Sequence, residues 1–263
     1  MLKVNGILIE QNHFPDNSLL VKFSPYGIEN PLHISIEWKY ENDAELFTLI
    51  CIKRHIDERY PGGFCELRMP YLAHARMDRV KNDKDVFTLK YFCEVINSLK
   101  FNTVYVLDAH SNVSLALLNN VEQMPIQRHI VNASTESRAE VLFFPDEGAM
   151  KRYSAASLLP FAFGMKRRDW ESGQILGLDI INAEVIKDKN VLIVDDICCR
   201  GGTFYHSAKA LHAAGAKEVN LYITHCENTI IEGELFTSNL VNKIYTTDSL
   251  IHIPEVSTRV NYV

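Results

Sequence analysis

The chain has 263 residues, of which 47% are hydrophobic and 23% charged, the make-up of a globular protein with one or two domains. Lys and Arg number 27 against 33 Asp and Glu, for a formal net charge of -6, so no overall positive field exists to hold nucleic acid or an anionic membrane. No apolar run approaches the roughly 18 residues that cross a bilayer, and the opening MLKVNGILIEQNHF lacks the pattern of a signal peptide; the expectation is a cytoplasmic protein with neither nucleic-acid nor membrane partners.

In chain order, runs rich in β-branched and aromatic residues predict strands at Leu19–Phe23 and His33–Trp38, then a helix over Asn42–Arg59 stopped by Pro61-Gly62-Gly63. A strand over Cys65–Met69 and a helix over Thr88–Leu99 follow, with further strands at Val104–Leu107 and Val141–Phe144 and a helix over Ala149–Leu159. The last part predicts a strand at Val191–Val194, a helix over Thr203–Ala214 capped by Gly215, and strands at Val219–Thr224 and Lys243–Thr246. Strand and helix alternate, which argues for an α/β fold with parallel-type sheets. The pattern breaks at Val121-Glu122-Gln123-Met124-Pro125, which divides the chain into residues 1–125 and 126–263, two small α/β domains. Six cysteines without C-x-x-C spacing suit reduced thiols better than a disulfide framework or a zinc site.

The stretch VLIVDDICCRGGTFYHSAKALHAAG, residues 191–215, carries the most chemistry. An apolar strand delivers Asp195 and Asp196 to its C-terminal end, where open α/β sheets bind ligands. Gly201 and Gly202 let backbone approach closely, and Thr203 opens a helix whose first N–H groups suit a phosphate. The paired carboxylates suit sugar hydroxyls or a cation. Alone, the stretch reads equally as a strand-loop-helix turn with Thr203 as an ordinary N-cap. It closely resembles the phosphoribosyl diphosphate motif of type I phosphoribosyltransferases and of ribose-phosphate diphosphokinases, the PRPP synthetases. That resemblance implies that Asp195 and Asp196 contact the ribose hydroxyls and that Gly201, Gly202 and Thr203 hold the 5-phosphate. Cys199-Arg200 stand where the family has Asp-Thr.

Four further segments resemble the synthetases, in family order. MPYLAHARMDRV, residues 69–80, is similar to their P-Y-x-x-Y-A-R-Q-D-R segment and implies ATP binding by Arg76, Asp78 and Arg79, with Met77 in place of Gln. VYVLDAHSN ends in Asp108 and His110, two groups with i, i+2 spacing on one strand face; the resemblance implies that they serve Mg²⁺, with His110 also at ATP. LFFPDEGAMKRYSAASLL resembles the family's Pro-Asp-x-Gly turn, which implies Asp146 as a Mg²⁺ and ribose ligand. FGMKRRDWESGQI resembles its catalytic loop, implying Lys166 and Arg168 as the cations on the transferred group, in a mobile segment containing Gly173.

The resemblance covers residues 65–250. It implies a phosphoribosyltransferase-like fold of two related domains with a site between them, forming a homo-oligomer and transferring the β,γ-diphosphoryl group of ATP to the anomeric hydroxyl of ribose 5-phosphate, with release of AMP. The family's Phe-x-Asp-x-Glu adenine segment, supplied by a neighbouring subunit, finds only a poor match at Phe23-Ser24-Pro25-Tyr26-Gly27, and the final helix is missing. Short at both ends, the chain is similar to phage-type relatives that act on ADP-ribose. Arg200, which raises the loop's charge, would then meet a second phosphate, and the resemblance implies roles in nucleotide biosynthesis and NAD metabolism. The alternatives are a type I phosphoribosyltransferase and a non-catalytic PRPP synthetase-associated subunit.

Overall fold

A computed structural model describes residues 1–23, 32–168, 175–250 and 259–263. These fall into two compact units, Met1–Met124 and Pro125–Val263. The first contains β1 (Leu2–Val4), β2 (Ile7–Leu8), β3 (Glu10–His13), β4 (Leu19–Lys22), β5 (His33–Trp38), α1 (Ala44–Arg59), β6 (Phe64–Met69), α2 (Thr88–Ser98), β7 (Thr103–Leu107), α3 (Asn112–Leu117) and β8 (Val121–Met124). Its main sheet has the order β2-β1-β5-β6-β7-β8, parallel from β5 to β8, with β1 antiparallel to both of its neighbours. In β5, Ile34, Ile36 and Trp38 are buried and alternate with half-buried Ser35 and Glu37, so its apolar side joins the core built with Leu49, Ile52 and Ile56 of α1 and Leu89, Phe92 and Ile96 of α2.

The second unit contains α4 (Gln127–Glu136), β9 (Val141–Phe144), α5 (Glu147–Tyr153), β10 (Phe161–Arg168), β11 (Ile175–Ile181), β12 (Asn190–Cys198), α6 (Gly202–Ala213), β13 (Glu218–Cys226), α7 (Glu234–Thr237), β14 (Ile244–Thr246) and β15 (Val260–Tyr262). The sheet order is β11-β10-β9-β12-β13-β14-β15, all parallel except the β10–β11 pair. Val141 to Phe144 and Val191 to Val194 are buried without a break, as expected for strands covered on both faces. From β9 the chain passes through α5 to β10 on one side, then returns as β12 on the other. Strand order therefore reverses at β9 and β12, and the crevice beyond their C-terminal ends is the binding place that such sheets provide.

Three expected features are corrected. The helix placed over Ala149–Leu159 begins at Glu147 because the Asp146 side chain accepts a hydrogen bond from Ala149 N at 3.0 Å. It ends at Tyr153, and a single 3-10 turn, Ser154–Ala156, follows; Leu158, counted in its apolar pattern, lies fully in solvent. The apparent break at Val121–Met124 is itself β8, an edge strand whose exposed Glu122 and Gln123 hide its character in the sequence. The basic cluster thought to enter a mobile loop stays on β10 through Arg168, paired with β11. Gly173 lies outside the described residues, as does the Phe23–Gly27 stretch apart from Phe23.

Candidate functional site

In the first unit, polar groups collect where β7 ends. Asp108 follows the last residue of this strand, is 1% exposed, and adopts a left-handed backbone with φ of 45°, a conformation that costs a non-glycine residue energy and clusters at functional sites. His110 lies two residues on and is half-buried. Leu107 N donates to Pro70 O at 2.9 Å, which ties the start of the Pro70–Arg79 segment to the same strand end. Asp78 joins them: a hydrogen bond from Arg79 Nε at 2.8 Å holds its carboxyl below the usual range against the opposing effect of burial, with Ser111 and the charge of His110 adding to this. Arg76 and Arg79 are exposed.

In the second unit, acids meet at the reversal point. Asp146 leaves β9 and caps α5, while Asp195 and Asp196 ride on β12. Asp196 N donates to Asp195 Oδ1 at 3.0 Å. Burial first, then the neighbouring charges of Asp196 and Asp146, push the Asp195 carboxyl well above its ordinary value, so the structure brings these three expected acids together. Arg152, given no role from sequence, joins them from α5, with Nη1 3.3 Å from Asp196 Oδ2. Its position in a KRY run on a short helix gave no sign of which face it would take.

Beyond β12 the chain turns through Cys199 and Arg200. Gly201 is the N-cap of α6 at φ of 76°, and no side chain caps the helix. Thr203 is therefore not the N-cap; it lies in the first turn, exposed beside Gly202. The helix start thus presents N–H groups without a competing protein acceptor from a capping side chain, an arrangement suited to an anion. The loop is braced from behind: a Cβ on Gly201 would meet the Leu235 side chain, and one on Gly233 would collide with the Arg200 carbonyl oxygen. The Arg200 side chain pairs with Glu232, its Nη2 3.0 Å from Oε2, both side chains more than half exposed. The backbones of Lys166 and Arg168 pair with Leu178 and Ile175, with a register shift between Arg167 and Arg168.

A Phe-x-Asp spacing that sequence reasoning passed over stands at Phe14-Pro15-Asp16, in the turn joining β3 to β4. Phe14 is 50% exposed, and Asp16 Oδ1 accepts from Ser18 N at 2.9 Å and from Ser18 Oγ at 2.6 Å. The signal was readable, although Ser18 occupies the place of the family's Glu.

Residues 158–235 match the family described as phosphoribosyl transferase domain. The ribose-phosphate pyrophosphokinase of Pyrococcus abyssi is 28% identical over 256 residues, covering 94% of this chain and 85% of its own length. That of Thermococcus kodakarensis is 27% identical over 97% of this chain and 89% of its own. The chain is similar to ribose-phosphate pyrophosphokinases over nearly its whole length. Its fold agrees: the crystal structure of phosphoribosylpyrophosphate synthetase from Mycobacterium smegmatis superposes with a TM-score of 0.75 at 15% identity, covering 97% of this chain and 85% of the other. Both units are therefore part of the resemblance, not only the stretch around Asp195 and Gly201. No helix among the described residues is long and apolar enough to cross a membrane.

Proposed function

We propose that the protein transfers the β,γ-diphosphoryl group of ATP to the anomeric hydroxyl of ribose 5-phosphate and releases AMP. The observation that carries this reading is the pairing of an acid cluster at the ends of β9 and β12 with an uncapped α6 start behind Gly201, in a chain similar to ribose-phosphate pyrophosphokinases over nearly its whole length. Asp195 and Asp196 accept hydrogen bonds from vicinal sugar hydroxyls, and the N–H groups of Gly201 to Thr203 hold the 5-phosphate. Arg76 and Arg79 receive the triphosphate, with Asp78 fixing the fork of Arg79. Lys166 and Arg168 neutralise charge on the transferred group, and such transfers depend chiefly on alignment and charge neutralisation.

Asp108, His110 and Asp146 are the residues assigned to Mg²⁺. Mg²⁺ is commonly held by one or two carboxylates and completed by substrate phosphates, and the buried carboxylate of Asp108 and the α5-capping carboxylate of Asp146 are oxygen donors of that kind. When bound, Mg²⁺ would supply positive charge to the diphosphoryl oxygens. Phe14 is the proposed adenine contact, offered by a second copy of the chain in a homo-oligomer, with Asp16 shaping the turn that presents it.

Arg200 gives ADP-ribose no support as acceptor, because its guanidinium is engaged by Glu232. Incubation with ATP, Mg²⁺ and ribose 5-phosphate tests the reading. AMP release dependent on the sugar supports it; release of pyrophosphate from phosphoribosyl diphosphate and a purine base, without AMP formation from ATP, would instead make the protein a phosphoribosyltransferase.

A further inference from the structure

The two basic residues at the end of α5 behave differently. Lys151 turns back along its own helix to Glu147, 2.7 Å away, with both side chains well exposed. Arg152 crosses to β12: its Nη1 lies 3.3 Å from Asp196 Oδ2 and 3.3 Å from the Tyr153 hydroxyl, and its guanidinium carbon sits 5.6 Å from the centre of the Tyr153 ring. Tyr153 is 2% exposed, so the ring offers a fixed surface against which the guanidinium rests. The Asp196 side chain is only 7% exposed, against 32% for Arg152. A carboxylate so withdrawn from water, with another acid next to it in the chain, needs an ordered positive partner to keep a single orientation.

The N-cap of α5 is Asp146, whose side chain caps the helix. One short rigid element therefore carries both an acid of the cluster and the cation that reaches Asp196. We infer that Arg152 is a positioning residue for the acceptor, holding the Asp196 carboxylate in the orientation that receives a vicinal sugar hydroxyl. The inference rests on the proposed reaction, since it is that reading which makes Asp196 a sugar contact. It extends the site by a residue outside the acidic strand and the glycine loop.

Calorimetric titration of ribose 5-phosphate and, separately, of ATP into the full chain tests this, using wild type, Arg152→Gln, Arg152→Lys and Lys151→Gln. Loss of one hydrogen bond to a charged group predicts a roughly tenfold weaker ribose 5-phosphate affinity for Arg152→Gln. ATP affinity should be unchanged. Arg152→Lys, which keeps the charge but not the fork, should recover most of the loss, and Lys151→Gln should resemble wild type. Equal sugar affinity in wild type and Arg152→Gln overturns the inference and leaves the proposed reaction standing. A parallel loss of ATP affinity and melting temperature in both Arg152 variants also overturns it, by making the residue structural. If wild type itself binds no ribose 5-phosphate and forms no AMP, the reaction is refuted and the inference with it.

Discussion

The guanidinium of Arg200 and the carboxylate of Glu232 lie 3.0 Å apart on the surface of the second unit, joining the glycine loop to the segment that leads into α7. The pair is exposed at both ends, so it contributes about 0–1 kcal/mol and is screened by salt. Arg200→Thr, which restores the residue the family carries there, should change kcat/KM for ribose 5-phosphate by less than about threefold. Measured side by side, ADP-ribose should be no better an acceptor for wild type than for the variant. A loss confined to ADP-ribose would show that Arg200 leaves Glu232 to meet a second phosphate.

Lys166→Ala and Arg168→Ala should each lower AMP formation by about 10²-fold, since both are proposed to act on charge that develops in the transition state. ATP binding should weaken far less. Steady-state rates beside equilibrium ATP affinity check this; turnover near wild type in both variants would remove the strand β10 cations from the mechanism.

Asp195 links activity to stability. Its carboxyl is raised by burial, by Asp196 and by Asp146, so ionising it disfavours the folded state. The stability associated with its neutral form is complete below the unfolded carboxyl value of about 4 and is lost as pH rises through the higher folded value. Asp195→Asn removes that loss. The variant should melt above wild type at pH 7 to 8, the gap should close toward pH 4, and ribose 5-phosphate binding should fall. A variant that melts below wild type by the same margin at every pH would contradict the assignment.

Gly233 has an ordinary φ of -91°, so space rather than backbone strain dictates glycine there. Gly233→Ala drives a methyl group into the Arg200 carbonyl oxygen and should cost about 1–3 kcal/mol, with a higher KM for the sugar as the loop shifts. Gly202→Ala meets no atom within 4 Å and should keep the wild-type melting temperature. Thermal melts of the two variants decide between them.

Phe14→Ala should weaken ATP binding by about tenfold, the scale of one lost stacking contact on a base, and leave ribose 5-phosphate affinity intact. Unchanged ATP binding would return the β3–β4 turn to a purely structural role.

How far the sequence could be read depended on where polarity fell. Val141–Phe144 was placed to the residue because four buried apolar side chains bounded by Glu140 and Pro145 leave little choice. β12 was recognised but cut short at Val194, because it continues through the very acids that define the site. β8 and α4 were missed: VEQM carries exposed Glu122 and Gln123 at its centre, and the buried face of QRHIVNASTE is only Ile130, Ala133 and Ser134, one small and one polar. At the site, acids at the end of an apolar strand were conspicuous, whereas Arg152 acquires meaning only through a partner 44 residues away and Arg200 through one 32 residues away. Pairings at that separation are set by packing and leave no local periodicity to detect.

Leu235 beneath Gly201, together with the Glu227 N to Cys198 O hydrogen bond of 2.8 Å, makes the glycine loop half of a two-piece assembly. Grafting residues 199–203 from a relative into this scaffold would bring a loop shaped by a foreign support, and its backbone would relax away from the geometry that suits a phosphate. Exchange is expected to succeed only when residues 227–237 travel with it, so the unit of inheritance for acceptor recognition is a pair of segments some 25 residues apart rather than one contiguous motif.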